Sequence, residues 1–138
     1  MSAALDFETW MRKTDAEIRR LVRHNHPESA SALGSWIAPT LQNSWVNFNA
    51  GLAPAGYRMV EGGIELRGAV KSGALAVPVF TLPAWAWPTD GGHLFIAACE
   101  TGTARLDITW SGEVIVRGYM SGGSNALVSL SGTRYSVP

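Results

Sequence analysis

The side chains best suited to binding a metal ion are the three histidines of the chain. His24 and His26 lie near the end of a charged segment, and His93 follows Gly91 and Gly92. Helical residues two apart point in different directions, so His24 and His26 could share an ion only if copies of the chain met at a symmetry axis. The spacing favours a solvated helix end. We therefore expect no metal site and no cofactor.

Five carboxylates between residues 61 and 113 could in principle supply the acid pair of a glycoside hydrolase. Most of them occupy polar positions or ends of predicted strands, where a charge usually faces water. The chain has no nucleophile elbow, phosphate-binding loop or dinucleotide fingerprint. We expect no enzymatic activity, and a small cell-wall hydrolase remains as an alternative. The five carboxylates belong to Glu61, Glu65, Glu100, Asp107 and Glu113.

Two tryptophans, Trp85 and Trp87, are separated by one alanine just before the predicted turn at 90–92. In an extended segment both indoles would lie on one side, where they could stack on sugar rings. Rigid aromatic surfaces of this kind suit saccharide or protein contacts. The same side chains could instead close the end of the β domain or lie in a subunit interface. Trp36 and Trp45 have apolar neighbours and are expected in the core.

An N-terminal helix is predicted over residues 1–27. Residues 5–26 hold nine of the 22 charged residues and no glycine or proline, and Pro27 ends the segment. Apolar positions spaced alternately four and three apart predict a coiled-coil stalk, since an isolated helix of this length is marginal in water. Trp10 and Val22 broaden the stripe, so packing of the helix onto its own domain is the alternative. The predicted trimerisation residues are Phe7, Met11, Thr14, Ile18 and Leu21.

A Ser-, Ala- and Gly-rich linker over 28–35 precedes a β domain predicted over 36–138. Two pairs of alternating segments flank two-residue turns, as in β-hairpins: 57–61 with 64–70, and 104–110 with 113–120. In the second pair Leu106, Ile108 and Trp110 occupy the positions expected to face the core. Further short strands are predicted at 75–82, 93–99, 127–130 and 134–137. The pattern indicates an antiparallel sandwich or small barrel and excludes a parallel α/β fold.

The charge balance limits the classes of partner. Eleven basic and eleven acidic residues give no net charge, so no long-range field attracts nucleic acid, and we expect none to bind. No apolar run has the length of a signal peptide or a membrane span, so we expect a soluble product made in the cytoplasm, without membrane insertion. The single Cys99 lies in an apolar run and is expected to pack in the core.

Six segments resemble, in their order along the chain, a β domain of tail proteins from phages that infect actinobacteria and other Gram-positive hosts. The resemblance implies a trimeric β head on a helical stem, placed in the virion tail, with host adhesion as the usual role. It transfers no functional residue. Where similar chains tend to read Leu-Pro-x-Gly-Tyr-x-Pro, residues 82–88 carry Trp85 in place of glycine. The six segments are 39–48, 55–58, 64–68, 80–83 with Pro88, 106–108 before Ser111-Gly112, and 128–132 with Tyr135.

The sequence therefore predicts a mainly β tail fibre, tail tip or baseplate protein: a coiled-coil stalk followed by an antiparallel head, assembled as a homotrimer. The expected partners are two further copies of the chain, other tail or baseplate proteins, and a host cell-wall polysaccharide. A purely structural connector or decoration protein, with no host contact, is the main alternative.

Overall fold

A computed structural model of the chain describes residues 34–137. Within this range the chain forms ten short strands and one turn of 3₁₀ helix at Ala84–Ala86, and every strand pairing is antiparallel. The prediction of a mainly antiparallel β domain is confirmed. The strands are β1 (Val46–Asn47), β2 (Gly56–Val60), β3 (Gly63–Arg67), β4 (Ala69–Lys71), β5 (Pro78–Thr81), β6 (His93–Ala98), β7 (Thr103–Ile108), β8 (Glu113–Met120), β9 (Val128–Ser129) and β10 (Arg134–Ser136).

The predicted stalk and most of the predicted linker lie outside the described residues. The coiled-coil seam and the homotrimer therefore stay predictions. The residues of that seam are Phe7, Met11, Thr14, Ile18 and Leu21.

The strands form three small sheets. One has the order β5-β8-β7-β6, the second β10-β3-β2 and the third β1-β4-β9. An isolated bridge between Cys99, just after β6, and Val128 of β9 connects the first sheet with the third. Residues from all three sheets contribute to one core.

The single strand predicted over 64–70 is divided by Gly68 into β3 and β4, which belong to different sheets. Gly68 has φ +98°, and a Cβ on it would lie 2.2 Å from the backbone oxygen of Pro54. Only glycine tolerates both the left-handed backbone and this close approach. The chain bends at Gly68, so β3 stays in the second sheet and β4 enters the third.

The core receives apolar side chains from all three sheets. Burial of one Val, Leu, Ile or Phe side chain stabilises the folded state by about 1.5–3 kcal/mol relative to its exposure. Trp45 is also buried, and its indole nitrogen donates to the backbone oxygen of Ala74 at 3.1 Å, so the expectation for this tryptophan is confirmed. The largest fully buried side chains are Phe80, Ile64, Leu66, Leu82, Leu106, Ile108, Leu130, Val70, Val79, Val114, Val116 and Val128.

Two tryptophans expected to face the core do not lie there. Strand β7 ends at Ile108, so the alternation stops before Trp110, which lies 63% exposed in the turn that leads to β8. Trp36 is only partly buried and lies against two arginines on an outer surface. The prediction was wrong for both because each lies beyond the end of a regular strand, where period-two burial no longer applies.

Within residues 34–137, no helix has the length and apolar character needed to cross a lipid bilayer.

Candidate interaction surface

Trp85 and Trp87 do not form an exposed pair on an extended segment. Ala84–Ala86 is a 3₁₀ turn, and both indoles are partly buried against the core. The Trp85 ring lies 6.1 Å from the Tyr57 ring, and Trp87 donates its indole N–H to the Leu82 backbone oxygen at 2.7 Å. This placement agrees with the alternative in which the two side chains close one end of the β domain. A role for them in receptor contact stays a prediction.

Two of the five candidate carboxylates lie in ion pairs. Asp107 is 6% exposed and accepts hydrogen bonds from Arg105 Nε at 2.9 Å and from Arg117 Nε at 2.8 Å. The hydrogen bonds from Arg105 to Asp107 and the charge of that carboxylate raise the pKa of Arg105. Glu65 accepts from Arg58 Nε and Nη2 at 3.2 and 3.0 Å. Asp107 and Glu65 therefore neutralise neighbouring arginines.

Among the described residues, the three most exposed large apolar side chains lie on or beside strand β6, and Met120 lies near them. Leu94 and Ile96 are 64% and 68% exposed on this strand, Trp110 is 63% exposed, and Met120 at the end of β8 is 41% exposed. We call these four residues the apolar strip. Among the strands of residues 34–137, β6 is the outer strand of its sheet and pairs with β7.

Two shallow hollows join the members of the apolar strip. One, of about 290 Å³, has walls formed by His93, Leu94 and Trp110. The other, of about 230 Å³, lies between Leu94, Ile96 and Met120. Leu94 borders both hollows, so the strip is continuous from Trp110 to Met120 across this side of the sheet.

Charged groups border the apolar strip on the same face. Leu94 is paired with Asp107 and Ile96 with Arg105, and opposed residues of an antiparallel pair point to the same side. Two guanidinium groups share the one Asp107 carboxylate, which leaves one positive charge beside the strip. An apolar centre with a charged border is the usual arrangement of a protein-binding surface.

The sequence did not reveal this surface. Residues 94–99 form an apolar run, which is typical of a strand covered on both faces, and the pattern cannot distinguish a central strand from an edge strand. A local signal was available for Trp110, since the turn residues Ser111 and Gly112 follow it directly.

A solved structure shares this arrangement of sheets. It is the crystal structure of the receptor binding protein (gp15) of Listeria phage PSA, which matches with a TM-score of 0.59 over 100% of this chain and 89% of that chain. The chain has the fold of a phage receptor-binding protein. The predicted resemblance to a receptor-binding-type β domain is thereby confirmed at the level of fold. Sequence identity over the match is 19%, so the site residues rest on the geometry described above.

No protein-family model matches the chain, and no curated protein matches it.

Proposed function

We propose that this chain is a virion tail protein of the receptor-binding type, which assembles as a homotrimer and adheres to the host cell surface without catalysing a reaction. The observation that carries the proposal is the fold likeness to a phage receptor binding protein over the full length of the chain. The adhesive role is inferred from the fact that this similar protein is a receptor binding protein of a phage, and the tail residence is inferred from that role.

The apolar strip supports self-association through the β domain. Three of its four members, Leu94, Ile96 and Met120, carry no groups that could hydrogen-bond sugar hydroxyls, whereas aliphatic and Met side chains pack well against protein. A standard interface buries about 800 Å² on each partner, and four large, exposed side chains in a row can form its apolar centre. We therefore assign the strip to a second copy of this chain rather than to a host saccharide.

A trimer would present three identical receptor sites to a repetitive cell-wall polymer. Linked sites raise the effective concentration of the second and third contacts, so overall affinity can exceed that of one site by about 10²–10⁴-fold. Each site can then be shallow and weak. Self-association and adhesion are thus connected, and one experiment can test both.

The test measures the mass of the full-length protein in solution and its binding to purified cell walls from a panel of actinobacterial and other Gram-positive species. We expect a trimer with saturable binding to at least one wall. A double variant, Leu94→Lys with Ile96→Lys, should lose the β-domain contact and dissociate at concentrations at which the wild type stays a trimer. It should then bind that wall at least about 10²-fold more weakly, because avidity is lost.

The control is Leu52→Lys, which adds one such charge at an apolar side chain that is 45% exposed outside the strip. This variant should remain a trimer with unchanged wall binding. A wild-type monomer at micromolar concentration would refute the homotrimer. A trimer that binds none of the walls would refute adhesion and favour the structural connector or decoration protein.

A further inference from the structure

The outer face of the β10-β3-β2 sheet carries a row of charged side chains. Arg134 of β10 and Arg58 of β2 both stand directly opposite Glu65 of β3. Residues opposed in this way point to the same side of a sheet. Arg67 lies two residues beyond Glu65 on the same strand, so it shares that side. Three guanidinium groups and one carboxylate thus occupy one face.

An indole ring covers two of these arginines. Ile37 bridges to Tyr57, which brings Trp36 alongside β2. The Cζ atoms of Arg58 and Arg67 each lie 4.3 Å from the centre of the Trp36 ring. Cation–π contacts of this kind restrain the planar guanidinium groups, so little side-chain entropy remains to be lost when they bind a ligand. We call Trp36, Arg58, Arg67 and Arg134 the arginine–tryptophan face.

The charges of this face are not balanced. Glu65 neutralises Arg58 through two hydrogen bonds, and Glu61 offers Arg134 only its backbone oxygen, at 3.3 Å. Among the residues that the structure describes, Arg67 has neither an acidic partner nor a hydrogen-bond acceptor, and its Nε is buried without one. Two positive charges therefore remain unpaired on a chain whose net charge is zero.

We propose that the arginine–tryptophan face is an oxyanion-binding site for a phosphate or carboxylate group, with Arg67 as its main donor. A guanidinium presents parallel N–H groups that match two oxygens of such an anion, and charge-assisted hydrogen bonds of this type are the strong ones. Arg134 adds a second positive charge across the sheet. Trp36 keeps Arg67 in place and offers an apolar surface to the part of the ligand that carries the anion.

The experiment is an NMR titration of the full-length protein with inorganic phosphate and, separately, with acetate, at constant ionic strength set with sodium chloride. The Trp36 indole N–H, identified by its loss in Trp36→Phe, reports on the site. We expect its signal to shift and saturate with at least one of the two anions, and the anion that saturates at lower concentration identifies the ligand class. Linear shifts without saturation for both anions would refute the site.

Two variants separate a specific site from general charge attraction. Arg67→Gln should lower the affinity for the anion that saturates by about tenfold or more, since it removes a forked, charge-assisted contact. Lys71→Gln removes the same charge from β4, where the ammonium lies 5.6 Å from the Phe48 ring, and should leave the affinity unchanged. Equal losses in both variants would overturn the proposal. Unaltered thermal unfolding of Arg67→Gln establishes that the domain is intact, and the outcome does not depend on whether the chain adheres to cells.

Discussion

Tyr135 connects the last strand to the 3₁₀ turn through a single buried hydroxyl. Its O–H donates to the Ala86 backbone oxygen at 2.7 Å, and its ring stacks on His93 with a centroid distance of 5.7 Å. Burial raises the pKa of Tyr135 because the phenolate would lose its hydration. Tyr119 differs, since its hydroxyl is buried with no hydrogen-bond partner in the described part of the chain.

The raised pKa of Tyr135 predicts how the stability of the domain depends on pH. Above about pH 10 the unfolded chain loses the Tyr135 proton while the folded chain keeps it, so the free energy of unfolding falls as pH rises. Tyr135→Phe should cost about 1–2 kcal/mol at neutral pH, because the Ala86 carbonyl loses its partner, and should make the alkaline decline shallower. Urea unfolding followed by tryptophan fluorescence measures both effects.

Tyr119→Phe is the matched control for the neutral-pH effect. The Tyr119 hydroxyl makes no hydrogen bond within residues 34–137, so its removal should leave the free energy of unfolding unchanged or slightly raised. Equal losses in the two variants at neutral pH would contradict the role assigned to the Tyr135 hydrogen bond.

The β7–β8 hairpin illustrates how one element positions another. Gly112 in its turn has φ +81°, and a Cβ there would lie 2.2 Å from Cδ1 of Trp87. The Leu82 backbone N–H donates to the Gly112 oxygen at 2.8 Å, while Trp87 donates to the Leu82 oxygen. Hydrogen bonds through Leu82 thus connect the turn and the Trp87 indole to the residue after β5, which explains why Trp87 is partly buried.

Gly112→Ala should consequently destabilise the domain more than backbone strain alone. The left-handed backbone costs an alanine about 1–2 kcal/mol, and displacement of Trp87 should add about 1–3 kcal/mol. Gly62→Ala is the control, because Gly62 has a similar φ of +76° with no atom within 4 Å of its added Cβ. Chemical denaturation of both variants gives the difference, and equal losses would show that the Trp87 contact contributes nothing.

For the whole molecule, the proposed homotrimer implies that stability depends on protein concentration. Association stabilises only the folded state, so the thermal midpoint of the full chain should rise by several degrees when concentration increases about a hundredfold. The rise should be largely lost in Leu94→Lys with Ile96→Lys and kept in Leu52→Lys. Scanning calorimetry at several concentrations provides the measurement, and a wild-type midpoint independent of concentration would contradict self-association.

Most strand positions could be predicted from local patterns. The turn near Gly62 and the turn at Ser111 and Gly112 lie between alternating segments. Both were predictable because turn residues fix the backbone geometry through their near neighbours alone. The bend at Gly68 was not predicted, since it depends on the approach of Pro54 from a distant part of the chain. The candidate surface was missed for a related reason: alternation assigns side chains to two faces but does not say which face another sheet covers.

The sequence by itself determined the antiparallel β character of residues 34–137, most strand positions and the burial of Trp45. These follow from periodicity and turn chemistry, which act over a few residues. Only the tertiary structure decided that Leu94 and Ile96 lie on an edge strand, that Trp110 is exposed, and that Trp36 lies against Arg58 and Arg67. Each of these depends on which strands become neighbours, and that is settled by packing between segments far apart in the chain.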